Sequence, residues 1–581
     1  MIWKEGALPE GSPRFSTRLT NDLLNHGYLV LGCSIRLRIL STAQSPLVQS
    51  VLDDGFRTAA ECIESVVRRG RRQNDRGFHL TIAAAAFHLA HYGARSFSLL
   101  AENIDALNLV DVELLLVALM QRRLDTLESL CLNWLNDNAH TDEGIVASLE
   151  SDENDFGDAD AAYIAICRVV HRAVANFDYA LRSGEPTFVA TAVELLDRCV
   201  EASQQLKHVP LWWISVLARH LIDDLWDRSL HTTLPVLPND DGRWQELRQN
   251  FIELLCHRSV AEIDLWPSQI AAASRVADET DSLVVALPTS SGKTRIAELC
   301  ILKCLAGGRR VIYVTPLRAL SAQVEGTLAR SFKPLGFSVS SVYGASGIGA
   351  TDVDTMRSAN IVIATPEKLD FAIRQANDVI DDVGLIVLDE GHMIGLNERE
   401  IRYEVLVQRL LRRADGNNRR IVCLSAIFTN GKPFDAFTQW IRADKEGNAI
   451  QSNWRPTRQR PATLEWKATG GWLEYRVGGQ AVFVPGFIAE QARKKRRKNA
   501  FPQNRTELMF AAVQRFHQDG HSVLLYCPQR ASVEPAAESF LLYVKQGYLQ
   551  SFLGATGLPR FEISVYAAML QGSDSSSSRY G

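Results

Sequence analysis

At 581 residues, with 46% hydrophobic and 22% charged residues, the chain is too long for one core of about 150 residues and too apolar for wholesale disorder. Its formal net charge of −4 excludes a uniformly cationic nucleic-acid binder, so any phosphate contact must come from local charge. The longest apolar stretch, around Leu80 to Ala90, contains His88 and falls short of the about 20 residues a bilayer span needs, so no transmembrane helix is expected. Met1-Ile-Trp-Lys-Glu-Gly6 shows no basic region followed by an apolar core, so no secretory signal is expected. The ten cysteines are scattered singly and read as reduced core residues of a cytoplasmic protein; Cys300 and Cys304 share one helix without a second ligand cluster, so no metal is expected there.

Up to about Leu234 apolar residues recur at spacings of three and four, which predicts an almost wholly helical region of stacked pairs, like a helical repeat but without strict period. Leu116, Leu119, Arg123, Leu127, Leu130 and Trp134 predict one helix face. Val189, Val193, Leu196 and Val200 predict another, entered through Pro186, and Pro210 opens a third, Leu211 to Trp226. Trp212, Trp213 and Trp226 read as core rather than as a ligand platform. The acidic stretch Glu150 to Asp160 reads as a loop, and the prolines and turn residues of Leu234 to Gly242 end the region.

From Ser282 the pattern changes to short apolar runs, each followed by a helical stretch: Leu283–Leu287, Arg310–Pro316, Phe337–Tyr343, Asn360–Thr365, Val383–Asp389 and Arg420–Ser425. That alternation predicts an α/β lobe whose parallel sheet is covered by helices on both faces, with ligands bound beyond the carboxyl ends of the strands. The first run leads into Pro288-Thr-Ser-Ser-Gly-Lys-Thr294, the order of a P-loop. Thr289, Ser290, Ser291 and Gly292 are small enough for their backbone N–H groups to face a polyphosphate at a helix N-terminus. Lys293 would reach the β- and γ-phosphates, and Thr294 would offer its hydroxyl to magnesium. Leu287 stands where a P-loop usually has its first glycine. At the end of Leu385-Ile-Val-Leu-Asp-Glu-Gly-His392, Asp389 would hold magnesium through water, Glu390 would orient and deprotonate the attacking water, and His392 would link the nucleotide site to a far lobe.

Together these residues resemble a superfamily 2 helicase of the DExH-box kind, in the superkiller and archaeal repair-helicase branch, and bacterial antiphage-defence helicases within it. The resemblance spans about 265–530 and implies a RecA-like P-loop motor that takes ATP and magnesium. It implies that Gln269 of Leu265-Trp-Pro-Ser-Gln269 recognises adenine with Trp266 beside it. It implies that Thr315, Pro316 and Arg318 in one motif, and Thr365, Pro366 and Glu367 in another, hold a nucleic-acid strand, with Tyr343-Gly344 between them. Ser425 and Ala426 match a coupling motif in which Ile427 replaces threonine. Asn453-Trp-Arg-Pro456 matches a feature of the branch, and Val523–Arg530 matches the strand that opens a second motor lobe.

The organisation expected is a helical partner or regulatory domain at 1–242, an ATP-binding lobe at 243–445, a linker with a β-hairpin at 446–505, a partial second lobe at 506–570 and a disordered tail at 571–581. The hairpin strands lie in Pro461–Lys467 and Trp472–Pro485, around Gly478-Gly479. The basic run Arg493–Lys498, the cluster Arg412, Arg413, Arg419 and Arg420, and the cluster Arg68, Arg69, Arg71 and Arg72 read as solvated surface; beside a motor the first is also a candidate phosphate contact. The residues after Cys527 are too few for a whole lobe, and the family's later arginine-bearing motifs have no counterpart, which implies trace hydrolysis by this chain alone. The function implied is an ATP-dependent helicase or translocase on single-stranded or partly duplex DNA or RNA, with a protein partner on the helices; the alternative is an ATP- and nucleic-acid-binding regulatory or scaffold subunit without effective hydrolysis.

Overall fold

A computed structural model describes residues 15–41, 45–70, 75–101, 109–138, 159–237, 242–316, 318–342, 350–426, 431–456, 460–467, 470–477, 480–489, 500–518, 521–527 and 529–550. The acidic stretch 150–158, Arg71 and Arg72, Tyr343-Gly344, Ile427, the basic run 493–498, Gly478-Gly479 and the tail 571–581 lie outside the described residues. The chain divides into two compact units, Arg14–Arg458 and Met1–Pro13 with Gln459–Gly581.

The first unit opens with long helices, among them Thr17–Leu40, Pro46–Arg69, Arg76–Leu89, Ala159–Ser183, Pro186–Gln205 and Val209–Asp227. Consecutive helices pack on one another: the first on the second, the second on the third, and the last three in sequence. Pro46, Pro186 and Pro210 sit in first turns, where a missing N–H costs nothing. Among the described residues no helix is long and apolar enough to cross a membrane, and no group of three or more His, Cys, Asp or Glu is placed to hold a metal.

The single helix expected through Leu116 and Trp134 is two helices, Asp111–Met120 and Leu124–Asp137. Arg122 breaks it: its φ is +55°, and its guanidinium leaves the helix axis to fork onto Asp264, with Nε and Nη2 donating at 2.6 and 2.8 Å. Asp264 is 3% exposed. Burial alone would raise its pKa, but Arg122 overrides that and holds the carboxyl below its usual value. Arg122→Ala should therefore strand a buried carboxylate and cost about 3–5 kcal/mol, read as a fall in the midpoint of chemical denaturation; an unchanged midpoint would show that the pair contributes nothing.

The lobe that follows is built on seven strands: β1 (Leu283–Ala286), β2 (Arg310–Val314), β3 (Val339–Val342), β4 (Ile361–Ala364), β5 (Val383–Leu388), β6 (Arg420–Ser425) and β7 (Ile450–Gln451). Their order is β3-β4-β2-β5-β6-β1-β7 and every pairing is parallel. Alternate residues face opposite layers. Val285, Val311, Tyr313, Leu385 and Val422 join the core of the preceding helices, whereas Val284, Ile312, Val314, Ile386 and Cys423 pack on the other face with Leu369, Leu406 and Phe434. This is the helix-covered parallel sheet of a RecA-like lobe. Ile450 and Gln451, expected in a linker, form its edge strand. Because the first core runs from Leu24 through Trp244 and Phe251 into the sheet, the divisions at 1–242 and 243–445 are proposed as functional divisions of one compact unit.

In the second unit β8 (Ala462–Lys467), β9 (Gly470–Val477) and β10 (Gln480–Ala489) form an antiparallel sheet, longer than the expected hairpin. Helix Arg505–Gln518 contacts β10, and Phe501, Phe510, Ile488 and Tyr548 form a small core. The expected strand at Val523–Arg530 does not form: 521–527 are irregular, with Leu524 95% and Tyr526 81% exposed. A strand needs a neighbour to complete its ladder, and among the described residues of this unit the only sheet, β8–β10, does not reach it. The parallel core expected of a second lobe is accordingly not formed by the described part of 506–570.

Candidate nucleotide and nucleic-acid site

β1 ends at Ala286 and helix Lys293–Ala306 begins seven positions on, with the phosphate loop between. Leu287 fits here because its side chain is buried in the core, while its N–H donates to Ser425 O at 3.0 Å. Ser291 closes the loop by donating to Pro288 O at 2.5 Å, and Thr289 and Ser290 remain exposed. Gly292 has φ +84°, and a Cβ there would lie 2.0 Å from Gln269 Nε2, so both conformation and space demand glycine. No side chain caps this helix start, which leaves its amides and dipole for an anion.

Lys293 Nζ donates to the carbonyls of Leu287 and Pro288 at 3.2 and 3.4 Å. Burial depresses its pKa, opposed by Glu390 and Asp389; an ammonium held under such strain of desolvation fits an incoming polyphosphate. Thr294, one residue on, is half-buried. Beside the loop, Gln269 accepts from Trp266 N at 2.7 Å and donates to Gly292 O at 3.0 Å, so its amide braces the loop. Ser268 adds a bond to Ser291 O at 3.0 Å.

Asp389 follows β5 and is reached by Tyr313 of the adjacent β2, whose phenol donates to Oδ2 at 3.1 Å, while Glu390 N donates to Oδ1 at 3.0 Å. Each carboxylate oxygen keeps lone pairs for metal-bound water. Burial, then Glu390, raises the pKa of Asp389. Glu390 has φ +49°, a backbone region that costs a non-glycine residue about 1–3 kcal/mol and clusters at functional sites. Gly391 allows the turn to pass β6, since a Cβ would meet Cys423 Sγ at 2.1 Å. His392 Nδ1 lies 3.0 Å from Ser425 Oγ and 3.4 Å from Glu390 Oε2. A bonded route thus runs from the acidic pair through His392 and Ser425 to Leu287 of the phosphate loop, with Ala426 next along.

The two strand-contact motifs lie side by side because β2 and β4 pair with Val314 opposite Ala364. Thr315 N donates to Ala364 O at 3.0 Å, and its buried hydroxyl finds no partner among the described residues. Thr365 caps helix Pro366–Gln375 through Lys368 N, and Pro316 and Pro366 are buried. Arg318 begins helix Arg318–Phe332; its side chain lies outside the described residues. Glu367 is turned to Arg399, whose Nε donates at 2.7 Å and whose Nη2 donates to Pro316 O. Burial would raise the Glu367 pKa, but Arg399 and backbone bonding hold it low. Neither Arg399 nor Tyr313 was marked by the sequence motifs; each belongs to a helix or strand whose pattern reports only burial. The cluster at 412–420 has structural partners instead: Arg413 pairs with Asp381 at 2.5 Å, and Arg420 donates to three carbonyls of 275–281.

A candidate phosphate loop, an acidic turn and two threonine-proline motifs thus lie at the carboxyl ends of strands of one parallel sheet. Residues 266–433 match the family model for the DEAD/DEAH box helicases, and the chain carries a helicase domain of that family. Hachiman protein HamB of Bacillus cereus is 28% identical over 358 residues, 60% of this chain and 31% of that protein. The ATP-dependent DNA helicase Hel308 of Pyrococcus abyssi is 31% identical over 294 residues, 50% of this chain and 35% of that protein. The chain thus spans about a third of the length of these curated relatives. Among solved structures, the DUF1998 helicase MrfA aligns with 58% of this chain and 46% of its own, at 19% identity and a TM-score of 0.36.

Proposed function

We propose that this chain is the ATP-binding part of a helicase or translocase acting on DNA, in defence against phage. The observation that carries the reading is the gathering of Lys293, Asp389 and Glu390 at the carboxyl edge of a sheet that also presents Thr315 and Thr365. Magnesium, when bound, would supply positive charge against that of the phosphates. Thr294 and Asp389 would hold it, the latter through water; Lys293 and the uncapped amides would hold the phosphates; and Glu390 would take the proton of the attacking water. Trp266 and Gln269 would border the adenine. His392 and Ser425, with Ala426, would report the state of that site to the strand-binding motifs. Thr315, Pro316, Arg318, Thr365 and Pro366 would hold the strand by its phosphates, with Glu367 fixing Arg399 beside them. DNA is favoured over RNA because Hel308 is a DNA helicase, and the defence role rests on the likeness to HamB. The helices of 1–242 are proposed as the seat of a protein partner.

Binding of a labelled single-stranded DNA, followed from 50 to 200 mM salt, tests the reading. Affinity should fall steeply, by about 300-fold if some six phosphates are contacted, and differ little between sequences. Salt-insensitive binding, or none at low salt, would remove the motor interpretation. Salt-sensitive DNA and ATP binding with no strand-stimulated phosphate release would favour the regulatory or scaffold alternative.

A further inference from the structure

Gln269, which the resemblance assigns to adenine, has its amide committed inside the protein. It is the third residue of helix Pro267–Ala273, and from there Oε1 reaches back to accept from Trp266 N at 2.7 Å, as a glutamine at that position does in a capping box. Its Nε2 donates to Gly292 O at 3.0 Å, and the residue is 5% exposed. A primary amide identifies adenine by accepting from N6 and donating to N7. Here the acceptor and the donor are both in use on the backbone. Turning them outward would break two bonds and release Gly292, the residue on which the phosphate loop turns.

What the site offers a base instead is aromatic. β7 pairs on β1 with Val285 opposite Ile450 and Ala286 opposite Gln451. The two strands run the same way, so the residues from 452 onward leave the sheet at the edge where the phosphate loop begins. Trp454 N donates to Ser452 Oγ at 3.1 Å, and the Trp454 ring stands 5.6 Å from that of Trp266, with the planes 52° apart. Trp266 in turn borders the loop, since a Cβ on Gly292 would lie 3.4 Å from Trp266 Cε3. Both indoles are half-buried, so each keeps surface for a further ring. Stacking on an aromatic side chain tolerates any base, because every base has a π-face.

We propose that this site takes nucleoside triphosphates without selecting adenine: the base stacks on the corner formed by Trp266 and Trp454, and Gln269 serves as a brace of the phosphate loop. The proposal rests on the ATP-site reading and widens its ligand from ATP to the class of nucleoside triphosphates. It also gives Trp454 a place in the binding site, on the segment that follows β7.

Titration calorimetry of magnesium–ATP and magnesium–GTP into the full, unmodified chain provides the test. The two purines offer similar ring area, so their affinities should agree within about threefold. An amide that read adenine would favour ATP by about 5- to 150-fold, and a preference of that size would overturn the proposal while leaving the ATP site standing. Trp454→Ala should weaken both nucleotides together by about 5- to 150-fold, and Trp454→Phe, which keeps a ring, should restore most of the loss. Gln269→Ala should weaken both by one common factor, through the loop, and leave their ratio unchanged. Undiminished affinity in a folded Trp454→Ala chain would overturn the stacking contact and the proposal with it. Binding of neither nucleotide by the unmodified chain would overturn the ATP-site reading itself. The comparison of ATP with GTP needs no substitution, so it decides the question even where a variant fails to fold.

Discussion

A Lys293→Ala chain should lose magnesium–ATP affinity by about 30-fold to several thousandfold while melting at the same temperature. The side chain contributes little to the fold: its ammonium bonds only to the carbonyls of Leu287 and Pro288 and carries a desolvation penalty. Against phosphate it would be a buried charge pair, and truncating one partner of such a pair costs about 2–5 kcal/mol. Calorimetry at fixed magnesium gives the affinity, and a thermal melt separates it from misfolding. Equal affinity in the variant would mean that the phosphates lie elsewhere.

Glu390→Gln should behave differently, keeping ATP affinity while lowering strand-stimulated phosphate release, measured with a chain or extension that supplies the later arginine-bearing motifs, by about 10²–10⁴-fold, the usual worth of a positioned general base. Glutamine keeps the shape and can still accept from His392, so the left-handed turn at 390 and the route to Ser425 should persist. What it loses is the capacity to take a proton. A variant that hydrolyses at the original rate would show that another group activates the water.

Five of the six longer strands were legible as near-continuous apolar runs, the signature of a strand buried on both faces, and β3, Val-Ser-Ser-Val, from its place in the alternation of strand and helix. β7 was not, for two residues carry no period; Ile450 and Gln451 become a strand because β1 has an open side. The phosphate loop and acidic turn could be located from residue type alone, and the role of Leu287 could not, since only the fold shows its side chain leaving the loop for the core. The helix break at 121–123 was hidden because Arg122 answers to Asp264, 142 positions away. The run at 523–527 misled for the converse reason: apolar sequence states a preference for burial, and a strand also requires a neighbour. Arg399 and Tyr313 act through tertiary neighbours that spacing does not encode.

The Arg122–Asp264 fork also bears on the order in which the molecule can assemble. Asp264 stands two residues before Trp266, whose neighbour Gln269 braces Gly292, and its partner is made on the ribosome well before it. Contacts of such sequence separation form late in folding. Vectorial synthesis supplies the helices first, and they can then act as a template on which the segment that braces the phosphate loop settles. Refolding from denaturant lacks that sequence of events, so the nucleotide pocket should be the last part of the first unit to regain its structure.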